Sequence, residues 1–247
     1  MLYNAFMNRG YARIAPGARL NAIIELTGRS DTVADIGCDH GRLGAALLQC
    51  EKARHVIATD ISAMSLEKGK RLAQKCGLGE KMSFFEGSGL EPLARERIKA
   101  DTAVIAGMGG ELIAEIMAAE PEIAKSIGAF ILQPMRGIEK LRLFLRENGY
   151  AVTNERIVFE GGRYYQVIKC CFGGETPKLE GFPEGMLYIG EMSVINDDPL
   201  LRPMLEKRRG GHIKRIEKAR ANGAELSGLE KEVRLIDAVL KIAEDKK

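Results

Sequence analysis

Between Leu20 and Phe172 short apolar runs alternate with stretches of helical period. That is the rhythm of a parallel sheet whose strands are buried on both faces and joined by crossover helices. An opening helix closes over Asn21 to Thr27. Thr32 to Ile36, His55 to Thr59, Met82 to Glu86, Thr102 to Ala106 and Ala129 to Leu132 read as successive strands. Between them Arg42 to Gln49, Ser62 to Cys76, Glu111 to Ala119 and Ile138 to Asn148 read as helices, with Ser62 as an N-cap and Gly77, Pro121 and Gly149 as stops. Then the period changes. Tyr150 to Phe159 and Arg163 to Cys171 read as two strands joined by the Glu160-Gly161-Gly162 turn, a hairpin in place of a crossover. The whole predicts an α/β, Rossmann-like domain that finishes on an antiparallel pair.

Gly173, Gly174, Pro177, Gly181, Pro183 and Gly185 then form a breaker-rich linker, which divides the chain into 1–173 and 174–247. Beyond it Leu226, Leu229, Val233, Ile236 and Leu240 advance in steps of three and four, and Leu205, His212, Ile216 and Ala219 follow a poorer stripe. Two helices joined near Ala221 to Ala224 are expected, as an antiparallel, coiled-coil-like hairpin. On that stripe His212 reads as a packed or capping residue before a ligand.

The chemistry concentrates at Val33-Ala34-Asp35-Ile36-Gly37-Cys38-Asp39-His40-Gly41 and at the Val56-Ile57-Ala58-Thr59-Asp60 strand. Gly37 and Gly41 let backbone approach a ligand, the following helix turns its free N–H groups to the same space, and a carboxylate ending the second strand, Asp60, suits a ribose diol. Asp35 would repel a pyrophosphate. It favours a cationic ligand such as S-adenosylmethionine (SAM) over a nicotinamide dinucleotide, which is also disfavoured because no glycine stands two residues after Gly37. The alternative is that Gly37 and Gly41 only make a tight turn with Asp35 at an exposed strand end.

Composition bounds the rest. A chain of 247 residues, 45% hydrophobic, can bury a large core. No apolar run is long enough to span a membrane and no secretory leader is visible at Met1 to Tyr11, so a cytoplasmic protein is expected. Cys38, Cys50, Cys76, Cys170 and Cys171 form no CxxC pair, so neither a disulfide framework nor a metal site is expected. The net charge is only +3, but Arg202 to Arg220 holds Lys207, Arg208, Arg209, Lys214, Arg215, Lys218 and Arg220 against few acids, a solvated helix face or an RNA-binding one.

The order Ala18-Arg19-Leu20, Asp35-Ile36-Gly37-Cys38-Asp39-His40-Gly41, Ile105-Ala106-Gly107-Met108-Gly109-Gly110, Ile131-Leu132-Gln133-Pro134 and Tyr165-Gln166-Val167 resembles the TrmK family, bacterial tRNA (adenine-N1)-methyltransferases that act on the adenosine at position 22. The resemblance covers nearly the whole chain, helical hairpin included. It implies a class I SAM-dependent methyltransferase domain with an appended coiled-coil domain, SAM as methyl donor and tRNA as partner; the oligomeric state stays open, with a monomer expected. To the residues already named it adds Asp39, Ile61, Gly87, Ser88, Gly89, Ala106 and Gly107 as cofactor contacts, and Arg19, Gly110, Gln133 and Pro134 as substrate contacts. Three positions depart from the family pattern: Gly17 stands where a Ser is expected, Ser88 replaces an acidic residue and Met135 replaces an Asn.

Adenine N1 carries a lone pair and no proton, so its methylation needs positioning and electrostatics rather than a base. The product is a cation, which a nearby carboxylate favours. Asp39 is the candidate, with the role of helix N-cap as its alternative. Gly107 to Gly110 would admit a flat base, Met108 offers a soft apolar face beside Gly109, and a base paired in tRNA must first leave its stack. Lys207, Arg208, Lys214 and Arg215 would meet the RNA backbone. Two rivals stay open at this point: a methyltransferase of a protein or small molecule that uses the hairpin as a dimer interface, and a SAM-binding protein without catalysis.

Overall fold

The computed structural model describes residues 11–221 and 226–246. In chain order its elements are α1 (Ala18–Thr27), β1 (Ser30–Ile36), α2 (Arg42–Gln49), β2 (Ala53–Asp60), α3 (Ala63–Lys75), β3 (Met82–Glu86), α4 (Glu91–Arg95), β4 (Thr102–Gly109), α5 (Gly110–Ala119), α6 (Pro121–Ser126), β5 (Ala129–Arg136), α7 (Ile138–Glu147), β6 (Tyr150–Glu160), β7 (Arg163–Phe172), α8 (Glu191–Ile195), α9 (Leu201–Ala221) and α10 (Ser227–Asp245). The strands form one sheet in the order β3-β2-β1-β4-β5-β7-β6, parallel from β3 to β5 and antiparallel where β7 joins β5 and β6. Its order reverses between β1 and β4, so a crevice opens outside the carboxyl ends of those two strands, the ordinary binding place of an open α/β sheet.

Alternation along each strand feeds two cores. Val33, Val104, Ile131 and Val167 point to the face covered by α1, α2 and α3. Ala34, Ile105, Leu132 and Ile168 point to the face covered by α4, α5 and α7. Ser62 caps α3 by accepting the Ser65 N–H at 3.2 Å, a cap that contributes about 1 kcal/mol. At the hairpin, Gly161 and Gly162 both have positive φ, +58° and +79°, as a two-residue turn between right-twisted strands requires.

Two strands outrun the expectation. β4 and β5 continue past Ala106 and Leu132 because the pairing slips at Gly107 and resumes as Met108↔Pro134 and Gly109↔Arg136. Pro134 has no N–H to give, so a bulge opposite it is the way the ladder survives. Gly107 to Gly109 therefore close a strand, and Pro121 starts a helix as well as stopping one.

After β7 the chain packs back onto β6. Ile157 shares a third core with Met186, Ile189, Leu205, Ile236 and Val239, and Tyr164 packs against it. A buried Arg142–Glu155 ion pair ties α7 to β6, and Glu155 also accepts the Ser193 N–H and Oγ–H at 3.2 and 2.9 Å, which binds α8 to the same point. The α9–α10 ion pairs Arg202–Glu244, Arg209–Asp237 and Arg220–Glu230 run in opposite chain order, so the two helices are antiparallel. The expected joint near Ala221 to Ala224 lies largely outside the described residues.

Candidate active site

At the end of β1 the N–H groups of Gly37 and Cys38 both donate to Thr59 O, at 2.8 and 2.9 Å, bending the chain across β2. Gly37 and Asp39 are both left-handed, with φ of +69° and +48°. The Asp60 carboxylate then knits two loops together, accepting the Asp39 N–H at Oδ2 and the Ser62 N–H at Oδ1, each at 2.9 Å. Its carbonyl accepts the Gly87 N–H at 3.1 Å, and Thr59 Oγ1 donates to Gly89 O at 3.4 Å, which brings the β3 loop alongside. Beyond Asp60 stands Ile61, 75% exposed, with exposed Met64 near it and Ser88 exposed on the neighbouring loop.

The N-cap alternative for Asp39 does not hold. α2 begins at Arg42 with Gly41 as its cap position and no side-chain cap, so Asp39 is two residues too early. Its carboxylate stands in solvent at the mouth of the crevice, 3.4 Å from Ser65 Oγ and 3.3 Å from His40 Nε2. Asp35 departs from both expectations for it. It is 4% exposed, neither an exposed strand end nor a pocket-wall residue, and Oδ2 accepts the Gly44 N–H of α2 at 3.1 Å. Burial raises its pKa to about 7, Asp60 adds to the rise, and the Gly44 hydrogen bond opposes it. Burial also pushes the Cys38 thiol up, and Asp35, Asp60 and Asp39 push it further. The carboxylates of Asp60 and Asp39 thus flank the glycine turn, an arrangement that suits a cation and opposes a phosphate.

Gly41 serves packing: a Cβ there would stand 3.3 Å from the Gly69 Cα of α3. Gly37 faces Met108, whose methyl occupies the space a Cβ would need. Met108 therefore bridges the glycine turn to the other half of the site, at β4 and β5. There the freed Gly107 N–H donates to Gln133 Oε1 at 3.2 Å, and Gln133 Nε2 donates to Pro134 O at 3.0 Å. Arg19, at the start of α1, reaches the same amide oxygen at 3.5 Å and Met135 Sδ at 3.0 Å, and lies 5.2 Å from the centre of the Tyr165 ring. Gly107 and Gly109 border open space, with Ala106 half-buried behind them. Gly110 and Pro134 do not: both are buried, and Gly110 abuts the Gly137 carbonyl.

The sequence reading missed Glu160. From the hairpin tip its Oε1 accepts the Arg19 N–H at 3.2 Å and its Oε2 lies 3.7 Å from Arg19 Nε. Nothing in a glutamate before a Gly-Gly turn signals that contact.

The basic helix is less free than its sequence implies. Lys207 Nζ donates to Gly162 O at 3.0 Å and lies over the Phe159 and Tyr164 rings. Arg208 stacks 3.6 Å from the centre of the Tyr188 ring and pairs with Glu139 and Glu232, while His212 is buried against Glu232 at 2.7 Å. Lys214, Arg215 and Lys218 are exposed and form no ion pair among the described residues.

The model of a methyltransferase domain family matches residues 17–168. The chain is 33% identical over 163 residues to the tRNA (adenine(22)-N(1))-methyltransferase of Bacillus subtilis, an alignment that spans 66% of this chain and 68% of that enzyme. The chain belongs to the TrmK family. Its structure is similar to the crystal structure of the B. subtilis m1A22 tRNA methyltransferase TrmK, with a TM-score of 0.72, 26% identity and coverage of 94% of this chain and 99% of that one. It also resembles M. capricolum TrmK in complex with S-adenosyl-homocysteine, with a TM-score of 0.81, 24% identity and coverage of 94% and 100%. That likeness carries the fold, C-terminal helices included.

Proposed function

We propose that this chain transfers a methyl group from SAM to N1 of the adenosine at position 22 of tRNA. The observation that carries the reading is a glycine turn flanked by the carboxylates of Asp39 and Asp60, opening beside the small-residue end of β4. A sulfonium cofactor fits that arrangement, and exposed Ile61 beside Asp60 offers an apolar shelf for an adenine ring. When bound, SAM supplies a methyl that the N1 lone pair takes by in-line displacement, with no proton to remove.

The protein's part is to hold and to screen. Asp60 and the Gly37 turn fix the donor side, and Gly107 and Gly109 leave room for a flat base. Asp39 faces the charge that develops on the base from the mouth of the crevice, a preorganised carboxylate that needs no proton transfer. Since N1 lies on the Watson–Crick edge, the target base must be drawn out of its stack. A pocket for one base offers too little surface to select a tRNA. Lys214, Arg215 and Lys218 supply a backbone grip, so that 1–173 transfers the methyl and 174–247 docks the RNA. Lys207 and Arg208 serve that grip by holding α9 in place.

The test is methylation of a tRNA transcript by the purified chain with SAM, read by mass spectrometry of the digested nucleosides. N1-methyladenosine should form on the A22 transcript and not on one carrying G22. Equal methylation of both, or none of either, overturns the reading.

A further inference from the structure

α1 begins without a cap of its own. Gly17 occupies the N-cap position with φ −70° and ψ 176°, an extended conformation that any residue adopts, and it carries no side-chain oxygen for the free amides of the first turn. That oxygen comes from across the fold. Glu160, at the tip of the β6–β7 hairpin, accepts the Arg19 N–H, and a Cβ on Gly17 would stand 2.5 Å from Glu160 Oε1. The missing side chain at Gly17 is what lets the carboxylate in.

The same carboxylate has a second task. With Oε1 on the backbone of Arg19, Oε2 faces the Arg19 guanidinium, whose Nη1 then points to Gln133 Oε1 and Met135 Sδ. Gln133 in turn holds the Gly107 N–H at the bulge of β4. A continuous file Glu160, Arg19, Gln133, Gly107 thus runs from the hairpin tip to the open end of the strand where the acceptor base is placed. Tyr165, on the same hairpin, backs the guanidinium with its ring.

We propose that Glu160 is a positioning residue for methyl transfer: it aims the Arg19 guanidinium at the acceptor side of the site, in addition to capping α1. The proposal rests on the acceptor assignment given under the proposed function. Cap and aim are separable because the cap needs only an oxygen near Gly17, whereas the aim needs the charge opposite Arg19 Nε.

The experiment measures kcat, KM for SAM, KM for tRNA and Tm for four variants. Glu160→Gln keeps an acceptor for the Arg19 N–H but turns a neutral amide to the guanidinium, so Tm holds while kcat falls about tenfold and KM for SAM stays unchanged. Glu160→Ala lowers both Tm and kcat. Gly17→Ser places a capping hydroxyl on the helix itself and crowds the carboxylate away, so Tm is kept and kcat falls. In Gly17→Ser/Glu160→Ala the cap is restored and Tm recovers, while kcat remains low. Recovery of kcat together with Tm in that pair makes Glu160 a cap and nothing more, and unchanged kcat in Glu160→Gln overturns the proposal outright. Absence of N1-methyladenosine with the unaltered chain strikes the functional reading instead, so the two failures are distinguishable.

Discussion

On the β1 and β2 side of the site, the loops are fixed by backbone amides converging on one carboxylate. On the β4 and β5 side they are fixed by side chains drawn from α1, β5 and the hairpin tip. Asp60 binds Asp39 and Ser62, residues 21 and 2 positions away, and its grip is short and doubly made. The contacts of Arg19 with Gln133 and Glu160 span 114 and 141 positions and are longer, at 3.5 and 3.2 Å. On the proposed assignment the donor side is therefore held by local contacts, and the acceptor side depends on the tertiary fold being complete. An invariant small cofactor suits the first arrangement, and a large RNA that must be admitted and released suits the second. Met108, reaching from β4 onto Gly37, is the point where the two touch.

The largest break in that comparison should come from Asp60→Ala. It removes the acceptor of two loop amides and, on the proposed assignment, the partner of the cofactor ribose. Loss of hydrogen bonds to a charged group should weaken SAM binding by about a hundredfold in calorimetry. Affinity within a few-fold of the native chain would mean that the carboxylate only shapes the loop. Next is Gly109→Leu. Gly109 has φ −70° and a Cβ there meets only Arg136 Nε at 3.7 Å, so the change puts bulk at the acceptor side without backbone strain. We expect kcat/KM for tRNA to fall some tens of fold while SAM affinity is kept, since displacing a reacting group by about 1 Å can cost that much. Parallel losses in both assays would show that the two sides are not separate.

The difference between the sides also governs what can be read from sequence. Gly37, Asp39 and Asp60 lie in one βαβ unit, where strand, turn and carboxylate follow at fixed offsets, and the structure brings all three to one edge. Asp35 and Gly41 belong to the same motif yet turn inward, because a motif does not say which way a side chain faces. Taken one at a time, β4 and β5 are expected to end at Ala106 and Leu132, since Gly107 and Pro134 are breakers in a single strand. Only when they are set side by side does the bulge that accommodates both become visible. Glu91–Arg95, Pro121–Ser126 and Glu191–Ile195 are too short to show a helical period. On α9, Arg208 and Arg209 read in sequence as part of a phosphate-facing run, but their acids, Glu139, Glu232 and Asp237, come from other elements.

A third effect, smaller, concerns the RNA grip. Because Ile157 and Tyr164 share a core with the C-terminal helices, cutting the chain near Gly174 would strip apolar surface from β6 and β7 and confuse docking with folding. Lys214→Gln/Arg215→Gln avoids this, since both residues are exposed. tRNA affinity should drop about tenfold at moderate salt, and the slope of log K against log salt should fall by about one for each phosphate no longer neutralised. Transfer from saturating tRNA should be unchanged. A constant slope would make these residues merely solvated.

The smallest expected effect on turnover sharpens the account of the donor side. Asp35 has a folded-state pKa of about 7, raised first by burial from the ordinary value of 3.8. A raised carboxyl pKa means that the folded chain holds a proton which the unfolded chain has released, so stability falls as pH rises from about 4 through about 7 and is level above. Asp35→Asn keeps an acceptor for the Gly44 N–H and has no charge to bury. The variant should therefore melt higher than the native chain by a few degrees at pH 5.5, midway through that window, and by roughly twice as much at pH 8.5, beyond it. Its methyl transfer at low pH should match the native rate, because the native carboxyl is protonated there as well. A melting difference that is flat across this range would mean that Asp35 is already ionised at pH 5.5 and that Asp60 and the buried sheet edge do not hold it neutral. The negative field at the glycine turn would then be stronger than burial alone allows, and the preference for a cationic ligand would rest on Asp35 as directly as on Asp60.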